Sequence, residues 1–198
     1  GGERLFAPIS FELDGGNSLL VSGPSGSGKS TLLRAISYLI PALEGEILLD
    51  GKRPTPQQIP AYRRQVCYVP QVPSAHEETV DAVLRRPFRY ASAGQSVYPE
   101  ERAAEMFARL GLSREDLEKN FADLSVGERQ RVCLVRALIV EPKFLLLDEP
   151  SSALDAGNAQ SLFELWEGLP KRPGVVLVTH DGTLRALFSS AKVLELAS

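Results

Sequence analysis

Short apolar segments, each bounded by turn-forming residues, predict the buried strands of a sheet. They lie at residues 18–22, 144–148 and 175–179. Their hydrophobicity is nearly continuous and does not alternate, which is typical of strands that are covered on both faces. Helical patterns lie between them at residues 30–40, 126–140 and 158–169, and each stops at or shortly before a proline. The repeated order of strand and helix predicts an α/β fold with a parallel core sheet.

The first fifty residues add a different β pattern. Residues 9–13 alternate between apolar and polar side chains before a turn at residues 15–16. Residues 46–49 lead into Asp50 and Gly51, a pair that is typical of tight turns. We therefore expect a small antiparallel β layer beside the parallel sheet.

The middle of the chain, about residues 73–123, is rich in charge and contains no strand pattern. Helical patterns lie there at residues 79–85, 99–110 and 113–120. The sequence therefore predicts one domain over residues 1–198. In this domain an α/β core of residues 1–72 and 124–198 carries a helical insert at about residues 73–123.

Composition narrows the class of protein. With 43% hydrophobic and 24% charged residues and a net charge of −3, the chain lacks the basic excess that nucleic-acid binding usually requires. Its longest apolar runs are far shorter than the ~20 residues of a membrane-spanning helix, and no leader peptide is recognisable. We therefore expect a cytoplasmic chain without a nucleic-acid partner, which reaches a membrane only through another subunit. Cys67 and Cys133 lie in apolar runs without a CxxC motif, which predicts reduced, buried thiols and no zinc site.

One glycine-rich segment, residues 23–30, carries a complete phosphate-binding motif and is called the phosphate loop below. It matches the pattern G-x4-G-K-[ST], follows a predicted strand and opens a predicted helix. Glycines let backbone N–H groups surround a polyphosphate, and a helix N-terminus adds partial positive charge. We expect Lys29 to reach the β- and γ-phosphates and the Ser30 hydroxyl to bind Mg²⁺. The candidate nucleotide-binding residues here are Gly23, Pro24, Ser25, Gly26, Ser27, Gly28, Lys29, Ser30 and Thr31.

The predicted strand at residues 144–148 ends in two adjacent carboxylates, Asp148 and Glu149. In P-loop nucleotide hydrolases an aspartate at this position holds Mg²⁺. Glu149 is the next residue and is therefore the candidate general base, which would polarise or deprotonate the attacking water. An isolated acidic pair at a strand end is often only solvated, but beside a phosphate loop it indicates a hydrolase site.

Residues 124–130 have the sequence LSVGERQ and stand shortly before this acidic strand. Together with the phosphate loop, they resemble the signature motif of ABC (ATP-binding cassette) ATPases, usually written LSGGQ. The resemblance implies that Ser125, Gly127 and Glu128 meet the γ-phosphate of an ATP bound to a second copy of the chain. The residue chemistry agrees, because Ser125 is a good helix N-cap, Gly127 permits close approach and a helix N-terminus favours an anion.

Further motifs of the same family follow in the family's order. Gln71 resembles the Q-loop glutamine, which implies contact with Mg²⁺ and water and a response to the transporter partner. Residues 152–155 resemble the D-loop, which implies that Asp155 lies at the dimer interface. His180 resembles the switch histidine that contacts the γ-phosphate. His76 has no motif around it and is expected at the surface.

The resemblance covers about residues 9–195, with two departures. Val126 replaces the first glycine of the signature, and Glu128 replaces the glutamine. The bulk of Val126 must therefore point away from nucleotide, or the composite site is weaker than usual. Family members carry an adenine-stacking aromatic residue roughly 29 positions before the phosphate-loop lysine. That position falls just before Gly1, and Phe6 is a poor substitute by its spacing.

The resemblance implies the ATP-binding and ATP-hydrolysing subunit of an ABC transporter, with ATP and Mg²⁺ as ligands. Its expected partners are a second copy of the chain and an integral membrane subunit, at the cytoplasmic face of the membrane. The implied catalytic residues are Glu149, His180, Gln71 and Lys29, and the implied Mg²⁺ ligands are Ser30, Gln71 and Asp148.

The cargo and the direction of transport remain open at this stage. A weaker resemblance, carried by residues 86–89, 119–128 and 152–158, is to small ATP-binding subunits of bacterial iron or metal export systems. The alternatives are an importer of amino acids or other small solutes, a soluble ABC ATPase of DNA repair or translation, and a cassette without turnover. The intact catalytic residues argue against the last of these.

Overall fold

The structure is a computed structural model, and it describes residues 8–42, 44–90, 94, 96–150 and 156–196. The strands are β1 (Ser18–Ser22), β2 (Val66–Val69), β3 (Phe144–Asp148), β4 (Gly174–Val178) and β5 (Lys192–Glu195). The α-helices are α1 (Lys29–Ile36), α2 (Ile59–Gln65), α3 (Val80–Arg89), α4 (Glu100–Arg109), α5 (Val126–Leu138), α6 (Ala156–Glu167) and α7 (Gly182–Leu187). Short 3-10 helices occupy Pro56–Gln58, Arg114–Glu118 and Phe121–Asp123. Over these ranges, no helix combines the length and the apolarity that crossing a membrane requires.

The described strands form one parallel sheet in the order β2-β3-β4-β1-β5. Side chains of β3 alternate between its two faces. Leu145 and Leu147 belong to the apolar cluster that contains the buried residues of α5, whereas Leu146 packs with Leu32 and Leu33 of α1. Because both faces of the sheet are covered, its central strands are apolar almost throughout, as their sequences predict.

The α/β fold with a parallel core sheet is thus confirmed. β1 and β3 have the predicted bounds, and β4 begins one residue before the predicted strand. β5 is absent from the sequence prediction. Its four residues lie at the edge of the sheet and are mostly exposed, so their hydrophobicity carries little signal.

Helix α1 is shorter than the predicted helix at residues 30–40. Tyr38 adopts a left-handed backbone conformation with φ 55°, and the N–H of Leu39 donates back to the carbonyl of Arg34 at 2.9 Å. This geometry ends a helix by satisfying one of its last carbonyls. The proline at position 41 therefore follows the helix end and does not cause it.

The predicted tight turn at Asp50 and Gly51 is confirmed. Both residues have positive φ, 52° and 72°, as a two-residue hairpin turn requires. Leu49 and Lys52 on either side exchange both backbone hydrogen bonds, at 2.9 and 3.1 Å. These two residues form an antiparallel bridge.

The predicted antiparallel layer does not extend beyond this bridge in the part of the chain that is described. The next hydrogen-bonded pair would join Ile47 to Pro54, and proline has no N–H to donate. The Ile47 carbonyl accepts instead from the Tyr38 hydroxyl at 3.1 Å. Residues 8–14 also form no strand. Ile9 and Leu13 pack against the core while Phe11 between them is 36% exposed, so the predicted alternation does not correspond to one buried face.

Residues 73–123 hold α3, α4 and two of the 3-10 helices, and their described part contains no strand. Val83 and Leu84 of α3 and Phe107 of α4 are buried in the same apolar cluster as α5. The division of the chain into a core and a helical insert remains a prediction, since these segments share one hydrophobic core.

Both cysteines are free thiols. Cys133 is buried and Cys67 is half-buried. Burial raises the pKa of both thiols, that of Cys67 to about 12, so neither is a reactive thiolate near neutral pH.

Candidate functional site

Four groups of the predicted site residues follow the carboxyl ends of four adjacent strands. The phosphate loop follows β1, Gln71 comes shortly after β2, Asp148 and Glu149 end β3, and His180 follows β4. The carboxyl ends of parallel strands share one edge of the sheet, which is where α/β proteins bind their ligands. The strand order therefore gathers residues that are widely separated along the chain.

The phosphate loop wraps around the Lys29 side chain. The Lys29 ammonium donates to the carbonyls of Gly23 and Pro24, both at 2.9 Å. Gly28 is the N-cap of α1 in a left-handed conformation, φ 88°, and thus brings the loop to the start of the helix. These bonds hold a positive charge inside the loop, where an anionic phosphate can replace the carbonyl acceptors.

Two further features concern the packing of the loop and its capacity for a ligand. Gly23 has φ 149°, and a Cβ there would lie 2.7 Å from the carbonyl oxygen of Leu196 and 2.8 Å from Ser27 Oγ. Ser27 is 2% exposed, and its hydroxyl has no hydrogen-bond partner among the described residues. A buried hydroxyl normally has a partner, so this orphan oxygen is chemically suited to a ligand in the loop.

Ser30 and Asp148 form the candidate Mg²⁺ site. The Ser30 hydroxyl donates to Asp148 Oδ1 at 3.0 Å, and the Tyr68 hydroxyl donates to Oδ2 at 2.8 Å. Asp148 is 2% exposed. Burial raises the pKa of Tyr68 to about 12, so Tyr68 remains a hydrogen-bond donor to the carboxylate at neutral pH. Hydroxyl and carboxylate oxygens are the ligands that Mg²⁺ prefers, and the pair therefore fits this ion.

Glu149 is held by its backbone and by its side chain. Its φ is 46°, a left-handed conformation that costs a non-glycine residue about 1–3 kcal/mol and persists only where the surroundings hold it. Its N–H donates to the Val178 carbonyl at 2.8 Å, and its Oε2 accepts from the backbone N–H of His180 at 3.2 Å. His180 Nε2 lies 3.4 Å from Glu149 Oε1, and the two side chains are 67% and 17% exposed, so solvent reaches the pair.

Helix α5 begins at the signature residues with a reciprocal capping box. Glu128 N–H donates to Ser125 Oγ at 3.2 Å, while Ser125 N–H donates to Glu128 Oε2 at 2.8 Å. The Ser125 hydroxyl also donates to the same Oε2 at 2.6 Å. These hydrogen bonds from Ser125 lower the pKa of Glu128. Val126 is 42% exposed at the start of the helix.

The structure gives fewer contacts for the remaining predicted residues. Gln71 is exposed, and no hydrogen bond joins it to the other site residues that the structure describes. Thr31 is half-buried in the first turn of α1, and Gly127 is half-buried in the first turn of α5. Asp155 and Phe6 lie outside the described residues. His76 is exposed, as expected, and stacks on Phe121 with ring centroids 6.3 Å apart.

Two residues at the site are missing from the sequence prediction, Tyr68 and Gln130. Tyr68 binds the Asp148 carboxylate, and the buried Gln130 amide donates to the backbone that precedes Gln71 and to that of Glu149. A signal for Gln130 exists in the sequence, because it is the polar member of an apolar stripe on α5 with helical spacing, residues 130, 133, 134 and 137. The signal for Tyr68 is weaker, since an aromatic residue in a strand is ordinary.

Comparison with known proteins agrees with this geometry. The family model described as ABC transporter matches residues 6–152. The chain is 35% identical over 185 residues to the probable iron export ATP-binding protein FetA of Escherichia coli K12. This alignment covers 91% of this chain and 80% of FetA. It is 36% identical over 180 residues to the methionine import ATP-binding protein MetN 1 of Pseudomonas fluorescens Pf0-1, covering 88% of this chain and 53% of that protein.

A solved structure shares the fold. It is the dimeric post-hydrolysis state of the ATP-binding cassette MJ0796 bound to ADP and Pi, with a TM-score of 0.79 and 27% identity. The match covers 99% of this chain and 89% of that one. The fold, the order of the motifs and these relatives agree, and the chain therefore belongs to the ABC transporter family, as one of its ATP-binding subunits.

Proposed function

We propose that this chain binds ATP with Mg²⁺ and hydrolyses it between two copies of itself, and that this reaction drives transport through a separate membrane subunit. One observation carries the proposal. Lys29, Ser30, Asp148, Glu149 and His180 follow adjacent strands at one edge of the sheet. Lys29 is held by the carbonyls of its own loop, while Ser30 contacts Asp148 and His180 contacts Glu149. A loop that only binds phosphate does not need a carboxylate held beside it in a left-handed conformation.

The roles of the residues in nucleotide binding follow from their chemistry. Lys29 exchanges its two loop carbonyls for the β- and γ-phosphates of ATP. Ser30 and Asp148 would hold Mg²⁺, with Tyr68 fixing the orientation of the Asp148 carboxylate, and Gln71 would add an amide oxygen to the ion. When bound, Mg²⁺ supplies positive charge that neutralises the phosphates.

Glu149 acts on the attacking water. Its carboxylate accepts a proton from the water while the water oxygen bonds to the γ-phosphorus. The bond from that phosphorus to the bridging oxygen breaks, and ADP leaves. His180 Nε2 lies 3.4 Å from this carboxylate and its ring is largely exposed, so it can turn toward the γ-phosphate. Rate acceleration then comes mostly from positioning and charge neutralisation.

A second copy completes the site in this proposal. Ser125, Gly127 and Glu128 lie at the start of α5, where Ser125 is exposed and available to a facing nucleotide. Asp155 would lie along the same interface. The MJ0796 cassette to which this chain is similar is dimeric, which supports the same arrangement here.

Light scattering tests this composite site. The Glu149→Gln variant, which should bind ATP and barely turn over, is measured with and without Mg-ATP. We expect the mass to shift from monomer to dimer with Mg-ATP and the shift to disappear when Ser125→Arg is added. Ser190→Arg adds the same charge at another exposed serine and should leave the shift intact. Unimpaired steady-state hydrolysis by Glu149→Gln would contradict the role of Glu149.

The membrane subunit carries the cargo, and we propose iron or another metal as that cargo, moved outward from the cytoplasmic side. FetA supports this choice, since it aligns over 91% of this chain and 80% of its own length. MetN 1, an importer by its description, is about as similar in sequence, and a small solute such as an amino acid is therefore the alternative.

Cell-associated metal distinguishes the two directions. Deleting the gene of this chain in its source organism should raise iron content after iron loading, as measured by mass spectrometry. The wild-type gene should restore the lower content, and the Glu149→Gln gene should not. Unchanged iron content together with reduced uptake of labelled methionine would favour the importer.

A further inference from the structure

Gln130 occupies a junction between three functional segments. It lies on α5, five positions after Ser125, and its side chain is 0% exposed. Its Nε2 donates to the Pro70 carbonyl at 3.2 Å and to the Glu149 carbonyl at 3.2 Å. An amide nitrogen carries two hydrogens, so these two carbonyls use both of them. Because both partners are acceptors, the nitrogen and not the oxygen of the amide must face them.

Both acceptors belong to peptides that orient proposed active-site residues. The Pro70 carbonyl belongs to the peptide bond that leads into Gln71, and a planar peptide couples that carbonyl to the N–H of Gln71. The Glu149 carbonyl belongs to the residue with φ 46°, whose N–H is already held by Val178. With Gln130 in place, the backbone of Glu149 is fixed on both sides.

We infer that Gln130 is a positioning residue for ATP hydrolysis. It acts through Glu149, which it holds in the left-handed conformation that points the carboxylate toward His180, and through the start of the Gln71 loop. Because Gln130 is part of the helix that begins at the signature residues, a shift of α5 on contact with a second copy moves both strand ends together. This inference rests on the proposed role of Glu149.

A purely structural role predicts something different. Gln130 is fully buried on α5, where an apolar residue of similar length would fill the same volume. If volume alone mattered, such a residue would be tolerated. If the two donated hydrogen bonds matter, the same residue would leave two carbonyls without their donor and release the turn at Glu149.

Gln130→Met is the direct test, because it keeps the length of the side chain and removes both donors. Gln130→Glu is the second variant, because a carboxyl group has at most one hydrogen to donate, so it cannot serve both carbonyls. We expect kcat at saturating Mg-ATP to fall at least tenfold in both variants. The KM for ATP should change less than threefold, since Lys29 and the phosphate loop are untouched.

Val132→Ala is the matched control. Val132 is a fully buried residue of the same helix, and the change removes apolar volume without altering either hydrogen bond. It should lower the thermal midpoint while kcat stays within threefold of wild type. If Gln130→Met does not fold, Gln130→Asn, which keeps the amide and shortens its reach, takes its place with the same criterion.

The outcomes separate this inference from the proposed function. One outcome overturns the inference alone: Glu149→Gln abolishes hydrolysis, whereas Gln130→Met folds and keeps kcat within threefold of wild type. Equal losses of kcat in Gln130→Met and in Val132→Ala, at equal loss of stability, also overturn it, because they indicate a purely structural role. Hydrolysis that Glu149→Gln leaves unimpaired overturns the proposed function first.

Discussion

Alanine substitutions at two glycines of the phosphate loop separate the effect of a steric collision from the effect of backbone strain. Gly23 and Gly26 both have positive φ, 149° and 82°. A Cβ on Gly23 would lie 2.7 Å from the Leu196 carbonyl oxygen and 2.8 Å from Ser27 Oγ, whereas a Cβ on Gly26 would meet nothing within 4 Å. Alanine at position 26 therefore adds only strain, and alanine at position 23 adds strain and a collision.

The expected losses follow from these contacts. For Gly26→Ala the left-handed backbone costs an L-residue about 1–2 kcal/mol of folding free energy. Gly23→Ala adds about 1–3 kcal/mol for overpacking. The collision cannot relax easily, because Leu196 is tied to β1 by its N–H bond to the Ser22 carbonyl at 2.8 Å. In a chain of this length 1 kcal/mol shifts Tm by about 2–4 °C, so Gly26→Ala should lose roughly 2–8 °C and Gly23→Ala roughly 4–20 °C.

Thermal unfolding without nucleotide and titration with a fluorescent ATP analogue measure the two effects. Gly45→Ala is the control, because Gly45 has φ 80° and open space around it but lies outside the phosphate loop. It should lose as much stability as Gly26→Ala and keep its affinity for the nucleotide, while Gly26→Ala binds more weakly. Equal stability losses at positions 23 and 26 would refute the steric argument. Equal weakening of nucleotide binding at positions 26 and 45 would refute the assignment of the loop.

Two further predictions concern the Mg²⁺ site and the signature helix. Tyr68→Phe removes the 2.8 Å hydrogen bond to Asp148. The Mg²⁺ concentration for half-maximal ATPase activity should therefore rise roughly tenfold. An unchanged Mg²⁺ concentration for half-maximal activity would contradict a positioning role for Tyr68. The pKa of Glu128 is lowered by its bonds from Ser125, so its contribution to stability is present above its unfolded pKa of about 4.3 and is lost as pH falls through the lower folded value. The Tm difference between wild type and Glu128→Gln should therefore shrink between pH 6 and pH 3, and a constant difference would count against the capping-box bond.

The sequence predicts the centre of this fold better than its margins. β3 is recognisable because it is buried on both faces and its residues are apolar almost without interruption. β5 has the sequence KVLE and lies exposed at the sheet edge, so its pairing with β1 depends on the rest of the sheet and not on its own pattern. Residues 9–13 mislead in the opposite direction, because they alternate in sequence but have no partner strand, and Phe11 at the centre of the pattern is exposed.

The hairpin at Asp50 shows how a correct local prediction leads to a wrong extension. The turn residues alone determine the turn, and both have the expected positive φ. Whether a ladder grows from the turn depends on every later donor, and Pro54 removes the next one. A prediction of strand length from turn chemistry therefore has to check the N–H groups along both arms.

The candidate site divides in the same way. The placement of Lys29, Ser30, Asp148, Glu149 and His180 at one edge of the sheet is predictable, because each lies in or beside a local motif and parallel strands bring their carboxyl ends together. The hydrogen bonds of these side chains are not predictable in detail, since they depend on side-chain conformations that no motif encodes.

For Gln130, burial is predictable from the sequence but the hydrogen-bond partners are not. The helical stripe on α5 predicts that this polar residue is buried, and burial of an amide requires hydrogen-bond partners. The partners lie 60 and 19 positions away in sequence, at the ends of two strands whose adjacency is a property of the whole sheet. Substitutions along α5 should therefore fall into two groups. Those at the apolar positions of the stripe lower stability, and those at position 130 lower turnover, because only that side chain reaches both strand ends.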